Sequence, residues 1–440
     1  MRRLFLSITI ALMALNIGLY AQKDTAQVES KVNLKVVYEK TFDEPILDVI
    51  FDTATVSIEE AKSMGWKEEG FTEEKKTKGK ALASYPKVVL ISRGRELTWL
   101  PDERRSSYYT KEIRFYDRDG KIINRLPLKE FGEEYVYLSP QQKYILIEKI
   151  PTEWAPGYSG GILYDLNGNK IWEIEGPTPI AVSDEGYAVA AYLDWQIPPK
   201  PGGDFYVYDS KGKLLTKIEN PLKEKTAPLF AKYSKDGEYA ILSFNNETYP
   251  PAIFLLITKT GAILWKKDLL EYSYSRAEGE INLLPNKGIV GYIYKGEMCV
   301  FLLDWAGNLK WVSQLKTYGH VNCIFSQDGE RVYISTTTGY LWCLNNIGEI
   351  IWVYRHSGSP PPGNLIADSN APPFTDIFEQ SNQLIVQGLN KIFIFDSKTG
   401  NLKTEVKYPG KRIFLYQHNG NIFITNVEDK KILGLKIEEE

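Results

Sequence analysis

Cys299–Leu315, CVFLLDWAGNLKWVSQL, carries the pattern that decides the fold. An alternating apolar strand runs into Asp304-Trp-Ala-Gly307, and a second strand then opens with Trp311. Asp and Gly are the turn-forming pair here: Asp bonds back to the turn backbone, and Gly supplies the positive φ of a tight hairpin. Versions of the same unit recur as FYDRDGKIINRLPL, LYDLNGNKIWEIEG, VYDSKGKLLTKIEN, LITKTGAILWKKDL, CLNNIGEIIWVYRH and IFDSKTGNLKTEVK.

The turn glycines fall at Gly120, Gly168, Gly212, Gly261, Gly307, Gly348 and Gly400, so the steps are 48, 44, 49, 46, 41 and 52 residues. Apolar positions alternate with period two inside each unit, which excludes a helical solenoid. A repeat of this length with four strands per unit predicts a β-propeller. Within a unit, the inner strand A and strand B are joined by short polar turns such as Ser183–Gly186, Ser234–Gly237 and Ser326–Gly329. The last unit offers KRIFLY, NIFITNV and KILGLKI and then ends, whereas a spare outer-type strand, Leu34–Phe42, precedes the first. That strand is expected to complete the last blade and close the ring, which removes exposed edges. The expected fold is therefore all-β, an eight-bladed propeller of four-stranded antiparallel blades; seven blades is the alternative count. The propeller spans residues 34–438.

Tryptophan stands four residues after the turn glycine at Trp172, Trp265, Trp311 and Trp352. GNKIWEIEG, GAILWKKDL, GNLKWVSQL and GEIIWVYRH resemble the tryptophan-docking repeats of the PQQ-like, quinoprotein-type propellers. The Ser-x-Asp-Gly turns resemble those of WD40-like propellers. The resemblance covers nearly all of the chain after residue 33 and departs from the pattern where Asn124, Thr216 and Thr404 replace Trp. It implies that the four tryptophans pack between neighbouring blades. Adjacent cysteines, which quinoprotein dehydrogenases typically set against their cofactor, are missing, since Cys299, Cys323 and Cys343 are far apart. No cofactor is therefore expected.

Composition narrows the classes further. The chain has 440 residues with 53 Lys and Arg against 56 Asp and Glu, a net charge of −3, so it lacks the concentrated basic surface of a nucleic-acid binder. Residues 1–21 have the layout of a secretory signal peptide: Arg2-Arg3, an apolar run to Tyr20, and a small-residue site at Ala21. Residues 22–33 form a leader. No later stretch is apolar and long enough to span a bilayer. Export to the periplasm, cell surface or medium follows as the expectation. The odd cysteine count favours buried thiols, with a Cys323–Cys343 disulfide as the alternative. His320, His356 and His418 are scattered, and Asp165-Leu-Asn-Gly-Asn169 lacks the closing Glu of a calcium loop, so no metal is expected.

One insertion, residues 54–86, interrupts the first blade. Ser57 and Glu60 fit a helix capping box, and KEEGFTEEKKTKGK after it reads as a charged loop. The insertion would either brace the ring closure or meet a partner.

The A–B and C–D turns are tight, whereas the B–C and D–A connectors are long at 94–110, 151–159, 194–203, 245–251, 271–280 and 356–375. One face of the ring is thus elaborated. Trp99, Arg104, Arg105, Tyr108, Trp154, Tyr158, Trp195, Tyr249 and Arg276 fall in these connectors, and such side chains are enriched in interface hot spots. They are the candidate ligand-binding residues; packing loops onto blades is their alternative role. Asp102, Glu103, Glu153, Asp194 and Glu247 share the face and would suit glycoside cleavage if two were correctly spaced. Two functional readings result. The first is an exported, non-catalytic, monomeric propeller that binds a protein or polysaccharide of the cell envelope through this face. The second is a carbohydrate-active enzyme or lectin using the same face. No catalytic residue is assigned.

Overall fold

The structure is a computed structural model. It describes residues 32–71, 76–77, 80–96, 107–128, 134–149, 159–192, 203–221, 227–245, 253–269, 281–284, 287–294, 298–315, 317, 321–357, 359, 374, 376–388, 390–408, 413–418, 421–426 and 430–439.

The described strands form eight antiparallel sheets, each running from an inner strand A to an outer strand D. The eighth sheet is completed by the N-terminal strand Val32–Thr41, which pairs with Lys431–Glu439 from Leu34 opposite Ile437 to Thr41 opposite Lys431. Eight blades and closure by the N-terminal strand are therefore borne out.

The core is divided rather than single. Eight apolar clusters fill the eight seams, each drawing on two neighbouring blades. Strand C of blade 5, Met298–Leu303, shows the consequence. Every residue in it is buried. Cys299, Phe301 and Leu303 face the seam with blade 4, and Met298, Val300 and Leu302 face blade 6. A strand covered on both faces reads as a continuous apolar run, so the alternation expected of a half-exposed strand does not hold here.

The turns repeat one chemistry each. At the C–D hairpins a carboxylate or amide oxygen takes two backbone N–H groups; Asp304 accepts from Ala306 at 3.0 Å and Asn308 at 2.8 Å. Asp165 does the same with Asn167 and Asn169, which makes that segment a hairpin turn. At the A–B hairpins of blades 2, 3, 4 and 6 a serine hydroxyl plays this part, as Ser326 does for Arg331 N at 2.9 Å.

The tryptophans pack between blades, as the resemblance implied. Each lies on the C–D glycine of the next blade: Trp172 on Gly212, Trp265 on Gly307, Trp311 on Gly348 and Trp352 on Gly400. A Cβ on Gly348 would lie 2.7 Å from the Trp311 ring, so glycine is needed for the approach as well as for its φ of +82°. Where tryptophan is missing the slot is still used, by Lys40 against Gly120, Asn124 against Gly168 and Thr216 against Gly261. In seven outer strands a β-bulge leaves one residue unpaired at the third position after the glycine; Leu264 and Lys310 are two examples.

The blade-one insertion braces the closure. Its first and last residues prolong the A–B hairpin, with Ala54 opposite Ala83 and Ser57 opposite Lys80. Ser57 caps the helix Ile58–Ser63 by accepting from Glu60 N at 3.1 Å. The charged segment after it is not simply a loop: Glu68–Gly70 forms a 3-10 turn and Phe71 is buried. The backbone then caps the outer edge of the closing strand, through Glu39 N to Gly65 O at 3.0 Å and Lys67 N to Val37 O at 2.8 Å. Tyr38 of that strand packs on Trp66 and Phe423, with ring centroids 5.2 and 5.7 Å away.

Candidate functional site

The two faces of the ring are built differently. On the A–B and C–D face, polar groups are spent on neighbouring blades. Gln141 N donates to both oxygens of Asp184 at 3.0 Å, and Gln141 Nε2 reaches Lys235 O at 2.7 Å. Glu379 accepts from Gln327 N at 2.7 Å and from the Tyr333 hydroxyl at 2.9 Å, while Arg331 donates to Ser397 O. Lys259 bridges Glu185 and Glu238, both at 2.7 Å.

The B–C and D–A face carries the long connectors, and they are not spread evenly. Blades 1 to 4 have B–C connectors at 97–106, 150–159, 192–204 and 246–252, whereas blades 5 to 7 turn at 295–297, 337–339 and 388–390. Long D–A connectors follow blade 4 at 269–281 and blade 6 at 356–376. The long B–C connectors are therefore concentrated over one half of the ring, and the longest D–A connector lies on the other.

Most of the sequence-predicted binding residues lie outside the described residues: Trp99, Arg104, Arg105, Trp154, Tyr158, Trp195, Tyr249 and Arg276, together with the carboxylates Asp102, Glu103, Glu153, Asp194 and Glu247. Tyr108 is described as backbone only. It pairs with Arg95, because strands B and C of blade 1 continue to Glu96 and from Ser107. The connector is shorter than 94–110 for that reason.

Among the described residues, the seam between blades 2 and 3 stands out on the half with the long B–C connectors. Strand B of blade 2, Tyr144–Lys149, places Glu148 two residues before the long B–C connector. Leu146, two residues earlier on the same side, packs with Val182 and Ala188 of blade 3, so Glu148 is aimed into the same seam. Glu148 is 2% exposed, and its Oε2 has no hydrogen-bond partner. Burial pushes its carboxyl up to about 7, against a hydrogen bond from Tyr137 that favours the charged form. Tyr137 stands on the innermost strand of blade 2 and is 43% exposed. Across the seam, Tyr192 of blade 3 is 54% exposed, and Tyr206 packs against it edge-on at 5.6 Å. Among the described residues the large exposed aromatics are these two, Tyr137 and Tyr192, on adjacent blades.

Sequence reasoning missed all three. In YILIEK, Glu148 is a lone carboxylate at the end of an apolar run, and only the structure shows that the strand is covered on both faces. Nothing in the sequence distinguishes Tyr137 or Tyr192 from the other 26 tyrosines, of 28 in all.

Among the described residues no three His, Cys, Asp or Glu side chains converge as a metal site. Cys299, Cys323 and Cys343 are buried free thiols, so the alternative disulfide does not form in this structure. Burial pushes the Cys343 thiol up to about 12, far from thiolate reactivity. No described helix is long and apolar enough to cross a membrane.

The fold defines the class: an eight-bladed β-propeller. No family model matches the chain, and no curated protein matches it by sequence. Among solved structures it is similar to BamB from Moraxella catarrhalis, with a TM-score of 0.52 at 11% identity over 92% of this chain and 100% of that one. Sqt1 from Saccharomyces cerevisiae is similar with a TM-score of 0.50 at 10% identity, over 80% and 93%. The dihydro-heme d1 dehydrogenase NirN in complex with DHE gives 0.51 at 11% identity, over 75% and 70%. Identities this low establish a shared fold and nothing finer.

Proposed function

We propose that this chain is an exported, non-catalytic propeller that binds a protein partner of the cell envelope through its B–C and D–A face. One observation carries the reading: the two faces differ in what their polar and aromatic groups are used for. The A–B and C–D turns are short and bonded to neighbouring blades, by Gln141 to Asp184 and by Gln327 to Glu379. The opposite face keeps its long connectors over blades 1 to 4, with Tyr192 exposed at the start of one of them, while Tyr137 is exposed on the innermost strand of blade 2. Stiff aromatic surface on an irregular face suits protein recognition, because it offers large contact area at small entropic cost. Export follows from the signal-peptide layout of residues 1–21.

The test is affinity capture from envelope extract, with the bound material identified by mass spectrometry. Tyr192→Ala and Trp195→Ala are expected to lose one dominant partner while melting like the parent protein. Lys259→Ala, on the opposite face, is expected to retain it. If the loop-face variants capture the same material as the parent, the reading is wrong.

A further inference from the structure

The seam between blades 2 and 3 holds an acid where the other seams hold neutral groups at the same depth. Backbone pairing sets Glu148, Ser243 and Ser335 at equivalent positions of strand B, opposite Gly161, Phe254 and Leu341. All three are buried with an unpartnered oxygen. Glu148 alone of the three can ionise.

Its surroundings give an anion little support. Gly161 has no side chain, and Pro179 of blade 3 closes on it so tightly that a Cβ there would lie 2.8 Å from Pro179 Cδ. The blade 3 strand that packs on this one, Thr178–Val182, carries no titratable group. Thr178 Oγ1 is turned to Lys149 O at 3.4 Å. On the innermost strand the titratable residues are Glu134, Tyr135 and Tyr137, and Tyr137 supplies a hydrogen bond. Lys149, next in sequence, is bound to Glu173, and Tyr192 of blade 3 reaches towards Gly176. No cation faces the carboxyl from these strands.

We infer that Glu148 is a proton-operated latch: in its neutral form it keeps the seam between blades 2 and 3 closed, and its ionisation loosens that seam. As a regulation of the loop face this rests on the binding reading above, although the latch itself needs no partner. The acid is harder to ionise folded than unfolded. Its stabilisation is therefore fully present below the ordinary Glu range of about 4.3 and is lost as pH rises through about 7.

Hydrogen–deuterium exchange of the full chain, corrected for intrinsic rates, tests this in peptides covering Tyr144–Lys149 and Thr178–Val182. In the parent protein, opening of the seam is expected to rise about tenfold between about pH 6 and pH 8. Glu148→Gln, a neutral shape mimic, is expected to remove that dependence. Tyr137→Phe, which deletes the bond to the ionised form, is expected to move the rise to higher pH. A flat profile in the parent, or an unchanged rise in Glu148→Gln, overturns the latch and leaves the binding face untouched. Unchanged capture by the Tyr192 and Trp195 variants would overturn the binding face and leave the latch untouched.

Discussion

At the scale of single residues, the repeat works through a contact between unlike neighbours, an outer-strand side chain and the glycine of the next blade. Trp311 lies on Gly348 and also donates from Nε1 to Asn346 O at 3.1 Å, so one indole joins two blades by packing and by a hydrogen bond. Gly348→Ala would force a Cβ into the ring at a positive φ. It is expected to cost about 2–4 kcal/mol, combining overpacking with backbone strain, as read by chemical denaturation. Asn124 fills the same slot by donating to Gly168 O at 2.9 Å, a polar contact in place of an aromatic one. The pattern is legible because the spacing of Gly and Trp repeats. Glu148 is harder to see, since an isolated Glu in a strand reads as a solvated residue until both covering blades are placed.

At the scale of elements, the ring depends on how its first strand is held. Arg114 of blade 1 is 2% exposed, and it grips the segment after the closing strand through Asp43 and Glu44, with Glu112 at 3.3 Å. Arg114→Ala removes a buried guanidinium and its charge-assisted bonds to partly exposed carboxylates, and is expected to destabilise by about 1.5–3 kcal/mol in equilibrium unfolding. The bonds from Lys111 and Arg114 hold the Glu44 carboxyl below its usual range, and Arg114, against the cost of burial, does the same for Asp43. That part of the stability is present above the ordinary carboxylate range and is lost as pH falls through the lowered values. A shallower acid limb is therefore expected for Arg114→Met than for the parent in thermal melts across acidic pH. The insertion adds a second hold. Trp66 donates from Nε1 to Ser84 O at 2.7 Å and packs at a tilt on Tyr38, so Trp66→Ala is expected to cost about 3–5 kcal/mol in the same unfolding assay. Its capping serine was readable from sequence. Its target was not, because Tyr38 and Phe423 lie at opposite ends of the chain.

At the scale of the whole molecule, stability is distributed over eight seams, and no single cluster serves as the core. The closing strand joins the last seam to the first. Deleting residues through Thr41 would leave the strand Lys431–Glu439 as an open edge. Such a protein is expected to elute as oligomers in size-exclusion chromatography, with the parent's elution position recovered when the missing strand is supplied as a peptide. The two faces of the ring also belong to this scale. One is held by bonds between blades, and the other carries the long B–C connectors of blades 1 to 4.

The sequence by itself determined the architecture: the blade count, the closing strand, the turn chemistry and the tryptophan slots are all local patterns repeated at a fixed period. It also located the elaborated face, since connector lengths follow from where the repeat is interrupted. Only the tertiary structure decided what the insertion touches, which strands are covered on both sides, and that Glu148 faces no counter-charge from the described strands around it. Those outcomes depend on contacts between residues far apart in the chain. A period of 41–52 residues announces the blades, but it carries no information about which unlike side chains meet across a seam.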